Sequence, residues 1–146
     1  VIAETIQLAL APVFLMVAIA SILNMLTVRL GRVVDRSRQL QSRHGETEGM
    51  AHDQIVAEMR IVARRIDSIN RAMLVLVLSA MLIGLTVVAL FFDALLGIEL
   101  AMVASAIFVA AIALMMAGLF LFLRETREAS AALRIPKTFL ELDRDL

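Results

Sequence analysis

Residues 6–28, IQLALAPVFLMVAIASILNMLTV, carry no charge, and residues 29–43, RLGRVVDRSRQLQSR, follow at once with five arginines. A helix rises about 1.5 Å per residue, and about 20 apolar residues cross the hydrocarbon core of a bilayer. The first stretch is therefore long enough to span a membrane, and the second must stop at its surface. Working outward, two further uncharged apolar stretches appear at residues 72–92 and 100–123. The chain has fourteen Lys and Arg, nine of them between Arg29 and Arg71 and five between Arg124 and Arg144. Composition agrees: 61% of residues are hydrophobic, with a mean hydropathy of +0.89, well above the usual soluble domain.

These observations predict an all-α polytopic membrane protein. A single membrane domain, residues 1–146, would have spans at 6–28, 72–92 and 100–123, a hairpin at 29–71 and a tail at 124–146. Loops rich in Lys and Arg resist translocation, so the hairpin and tail are expected in the cytoplasm, with the N-terminus and the short Asp93–Glu99 turn outside. The first stretch has no basic segment before it and exceeds the apolar run of a signal peptide, so a retained anchor is expected.

Periodicity shows how the spans continue. Leu26, Leu30, Val33, Ser37 and Leu40 repeat at heptad-type spacing across the end of the first span. Ile55, Met59, Val62, Ile66, Ile69 and Met73 do the same into the second. Between them, residues 44–53 (HGETEGMAHD) break the pattern with two glycines. Two seams of one period joined by a short turn predict an antiparallel helical hairpin extending beyond the membrane, although two separate amphipathic helices on the headgroups also fit the pattern. Asp67 and Arg71 are spaced to pair along one helix. Pro12 is expected to kink or to start the first span. Small residues four apart, Ala101/Ser105, Ala106/Ala110 and Ala113/Ala117, with Ala80/Gly84 on the second span, suggest close helix contacts, although alanine is common in spans generally. The third helix is expected to run to Arg134 and stop at Pro136, with the apolar residues beyond it docking on a helix or a neighbour.

The chemistry offered is narrow. No Asp, Glu, Lys, Arg or His lies in the three apolar stretches, which argues against proton relays, voltage sensors and coupled pumps. No P-loop, HExxH or GxSxG occurs, and with no cysteine there is no thiolate chemistry. The chain is expected not to be an enzyme and to need no cofactor. His44, Glu46, Glu48, His52 and Asp53 have metal-ligand side chains, but at a spacing that matches a solvated turn.

One face of the first helix has a different character. Gln7, Leu10, Phe14, Val17, Ser21 and Asn24 lie within roughly two-fifths of the helix circumference, opposite the heptad seam. The face is polar, then apolar, then polar. A ring of copies with this face inward would form a pore with an apolar constriction at Phe14 and Val17. Equally, Ser21 and Asn24 could bond a neighbouring helix.

Three segments carry a family resemblance: Leu8–Leu15 (LALAPVFL), Thr27–Arg38 (TVRLGRVVDRSR) and Arg64–Ala72 (RRIDSINRA). With the three-span layout, they resemble the small bacterial membrane proteins grouped as domain-of-unknown-function family 2721. That resemblance implies a three-pass protein of the bacterial inner (plasma) membrane and brings no activity or ligand. Within the segments, Arg29, Arg32, Asp35, Arg36, Arg64 and Arg65 form an expected interfacial and lipid-headgroup network. Asp35 would pair with Arg32 or Arg38 on its own helix, or Asp35 and Arg36 would pair with the Arg64/Arg65 region across the hairpin or between subunits. Expected partners are membrane lipids, further copies of the chain and a cytoplasmic protein recruited by the hairpin and tail, with no nucleic acid. Two roles follow: a homo-oligomeric, channel-like assembly, or a membrane scaffold.

Overall fold

The computed structural model describes residues 2–97 and 99–132. Among them are three helices and no strand: α1 (Ile2–His44), α2 (Met50–Leu96) and α3 (Ala101–Ala132). Each is long and apolar enough to cross a membrane. The protein is an all-helical, multi-pass integral membrane protein.

The helices are longer than the apolar stretches that seed them. At about 1.5 Å per residue, the 43 residues of α1 and 47 of α2 far exceed a ~30 Å hydrocarbon core. The excess, residues 29–44 and 50–71, forms the expected antiparallel hairpin. Its turn is tighter than the sequence pattern indicated. α1 continues through His44, where Thr47 Oγ1 donates to the Arg43 carbonyl at 3.1 Å and the Glu46 amide does so at 3.0 Å. α2 restarts at Met50 because Gly49 adopts φ 66°, a conformation that favours glycine and turns the chain back. At the opposite end, Gly97 closes α2 in the left-handed conformation, its amide bonding the Asp93 carbonyl at 3.0 Å. Asp93 Oδ1 then accepts from the Leu100 amide at 2.7 Å, just ahead of α3. Pro12 does not start the first span: it is buried within α1, ten residues past the helix start at Ile2.

α2 packs along both of the other helices. From α1 it receives Ile19, Leu26, Val33 and Leu40, one residue every seven, and meets them with Val62, Ile69, Leu76 and Ile83 at the same interval. The seams expected from the sequence are therefore the ones buried. α3 uses a seven-residue step too, through Ala104, Ala111, Gly118 and Glu125, all buried. Its three small members bring α3 close to α2. A Cβ on Gly118 would lie 2.7 Å from Leu76 Cγ, and Ser79 Oγ donates to the Ala111 carbonyl at 2.7 Å.

The small residues that meet α2 are not the expected pairs of α3. Ala101, Ser105, Ala106, Ala110, Ala113 and Ala117 are all exposed in the single chain, because α3 meets α2 along a seven-residue row. On α2, Ala80 packs against the core, while Gly84 has open space where a Cβ would stand. The stretch beyond Ala132, including the expected stop at Pro136 and the docked tail, lies outside the described residues.

Candidate functional site

The level where the apolar stretches end gathers the polar chemistry. Arg29 follows the first span, Arg65 precedes the second by two turns, and Glu125 follows the third. Antiparallel packing of α1 on α2 and of α2 on α3 brings these three to one height. Glu125 is 2% exposed, yet it is a carboxylate at the end of a membrane helix. Two arginines hold it: Arg29 Nη2 lies 2.8 Å from Oε2 and Arg65 Nη2 lies 3.4 Å from Oε1. A carboxylate removed from water needs such partners, since desolvation otherwise exceeds any local gain. Arg29 also donates through Nη1 to Thr126 Oγ1 at 3.2 Å and stands over the Phe122 ring, 5.4 Å from its centroid. One acidic residue of α3 thus ties all three helices together at one end.

Farther from the spans, Arg36 clasps Glu58 of α2, with Nε at 2.8 Å and Nη2 at 2.6 Å from Oε1. Arg71 pairs with Asp67 at 2.7 Å, as their spacing predicted. Between the Glu125 clamp and the Arg36–Glu58 pair lies a cavity of about 300 Å³ between α1 and α2. It is lined by Arg29, Arg32, Val33, Arg36, Val62 and Arg65.

The expected headgroup network is thus gathered only in part. Arg29, Arg32, Arg36 and Arg65 share the cavity. Arg64 lines a neighbouring cavity with Ile61, Arg65 and Glu128. Asp35 is exposed and makes no ion pair among the described residues, with Arg32 and Arg38 or with Arg64 and Arg65. Within the single chain the arginines are met by Glu58 and Glu125 instead, while Asp35 lies exposed on α1. Glu58 and Glu125 went unnoticed in the sequence. The seven-residue step from Ala104 lands on Glu125, and that regularity was the available signal.

The other face of α1 is bare. Gln7, Leu10, Phe14, Val17, Ser21 and Asn24 are all exposed, with Phe14 at 70% and Val17 at 64%. No side-chain hydrogen bond to Gln7, Ser21 or Asn24 exists among the described residues. The residues share the face that the helical period assigns them and touch neither the α2 core nor the clamp. At the hairpin tip, the His44 and His52 rings lie 4.4 Å apart, tilted by 54°.

Residues 9–135 match the family described as "Protein of unknown function (DUF2721)". The chain belongs to this family. The match spans the α1 seam, the hairpin with its arginine cavity and the Glu125 clamp, so the polar junction of this chain falls within the matched region. No curated protein matches the chain. No solved structure matches it either.

Proposed function

We propose that this protein is the subunit of a homo-oligomeric, channel-like membrane assembly in which α1 of each copy faces the axis. One observation carries the reading. Asn24, with Ser21 and Gln7 on the same face, is exposed along a membrane-spanning helix and has no hydrogen-bond partner among the described residues. Carboxamides and hydroxyls without partners are costly in hydrocarbon. A second copy, or water along an axis, supplies those partners. Phe14 and Val17 then form an apolar constriction that gates by dewetting, with the polar residues on either side of it. The arginine-bearing hairpin lies in the cytoplasm of a bacterial inner membrane, following the confinement of basic residues to one end. The assembly involves no catalysis and no cofactor.

The test is reconstitution of the full chain into planar bilayers and liposomes, with the wild type beside Asn24→Leu and Phe14→Ala. The reading expects wild-type conductance, higher leak from Phe14→Ala and loss of assembly or altered conductance from Asn24→Leu. Absence of conductance under any applied voltage or tension, with a monomer in detergent, contradicts it.

A scaffold role has its own support. Arg38, Arg43, Arg60 and Arg64 stand exposed on the hairpin without an ion pair among the described residues. Residues 29–44 carry α1 about 24 Å past the first span, within reach of an acidic protein surface. Crosslinking in native membranes distinguishes the two: a scaffold yields one stoichiometric partner, a channel yields copies of itself.

A further inference from the structure

The cavity between α1 and α2 has an unusual charge balance. Four guanidiniums line it, from Arg29, Arg32, Arg36 and Arg65, and no carboxylate does. Two acids stand behind the lining: Glu125, shared by Arg29 and Arg65, and Glu58, taken by Arg36. Four positive charges against two negative leave a surplus of 4 − 2 = +2 around one small volume. The surplus can be located. Arg32 makes no ion pair or hydrogen bond among the described residues. Asp35, three residues past Arg32 on α1, does not line the cavity and makes no ion pair among the described residues.

Guanidinium forks match the oxygens of phosphate, and a site holding several of them favours that anion over a point-charge partner. The cavity also sits at a particular depth. Arg29 is the first residue after the apolar run 6–28, and Arg65 lies about 10 Å of helix before Ala72. This is where phospholipid headgroups lie, and basic pockets between membrane helices on the positively charged side hold such headgroups. Val33 and Val62 add apolar wall suited to the glycerol end of a lipid.

We propose that this cavity binds a phosphate-bearing anion, supplied by the headgroup of an anionic phospholipid in the leaflet at the arginine-bearing end. Arg32 is the donor awaiting it, while Glu125 and Glu58 hold the other guanidiniums in place. The bound lipid bridges α1 to α2 and stabilises the hairpin base.

The experiment uses the full chain in detergent, stripped of lipid and melted by circular dichroism, because the sequence has no Trp or Tyr to report by fluorescence. Phosphatidylglycerol, phosphatidylcholine and inorganic phosphate are titrated against the wild type, Arg32→Gln and Arg64→Gln. Arg64 lies beside Arg65 in sequence and carries the same charge, but it is outside the cavity. The proposal expects phosphatidylglycerol to raise the melting temperature and phosphatidylcholine not to. Arg32→Gln should raise the half-maximal lipid concentration about fivefold, and Arg64→Gln should leave it unchanged. An equal, Arg32-dependent shift from inorganic phosphate keeps the phosphate site and overturns the lipid as its source. No shift with phosphatidylglycerol, or a shift that both variants or neither variant weakens, overturns the site.

Discussion

Glu125 Oε2 lies 2.8 Å from Arg29 Nη2, which joins the end of α3 to the end of the first span of α1. Arg65 of α2 completes the contact. The clamp fixes the relative height of all three helices at one point, where the other polar contacts, Arg36–Glu58 and Ser79 to the Ala111 carbonyl, each join only two of them.

Substituting Glu125→Gln should destabilise the protein by about 2–3 kcal/mol. That is less than the ~3–5 kcal/mol of a fully buried pair, because Arg29 and Arg65 keep 27% and 32% of their side-chain surface exposed. Glu58→Gln, which breaks an exposed pair, should cost under about 1 kcal/mol. Circular dichroism melts in one detergent compare the two directly. Equal losses would show that burial of Glu125 adds nothing.

Gly118→Ala should destabilise by about 1–3 kcal/mol through overpacking, since the new Cβ meets Leu76 Cγ at 2.7 Å and Cδ2 at 2.8 Å. Gly84→Ala has open space and should be neutral or slightly stabilising. Pairing Gly118→Ala with Leu76→Ala should cost less than the sum of the two single changes, because each removes part of the other's conflict. Strict additivity in the melts would mean that α3 does not approach α2 at that point.

Ser79→Ala removes the bond to the Ala111 carbonyl. Interhelical hydrogen bonds in membranes average about 0.6 kcal/mol and reach about 1.7 kcal/mol, so a loss in that range is expected from chemical or thermal unfolding. Ser105, whose hydroxyl bonds the Ala101 carbonyl of its own helix, serves as the comparison: Ser105→Ala should leave stability within about 0.5 kcal/mol.

Much of this fold was legible in the sequence. The uncharged runs and the placement of fourteen basic residues gave three spans, and the Leu26–Leu40 and Ile55–Met73 rows gave the hairpin, because a seven-residue apolar period survives any detail of packing. The face of α3 was not legible from alanine spacing. In so apolar a helix, small residues fall on every side, and only Glu125, seven residues past Gly118, distinguishes the row that meets α2. Asp35 is a poor guide to the pairing within one chain for a related reason. Its neighbours in sequence are arginines, but its direction around α1 takes it away from α2, and ion pairing between helices depends on direction more than on spacing.

The most direct measurement of the central claim uses the absence of native cysteine. Single substitutions Phe14→Cys, Val17→Cys, Ser21→Cys and Asn24→Cys are oxidised in native membranes beside Leu74→Cys and Met81→Cys, exposed positions on α2. If copies meet along this face of α1, the four α1 positions form disulfide-linked dimers and the two α2 positions stay monomeric. Monomers at all four α1 positions, or equal crosslinking at Leu74 and Met81, would contradict an assembly built around α1.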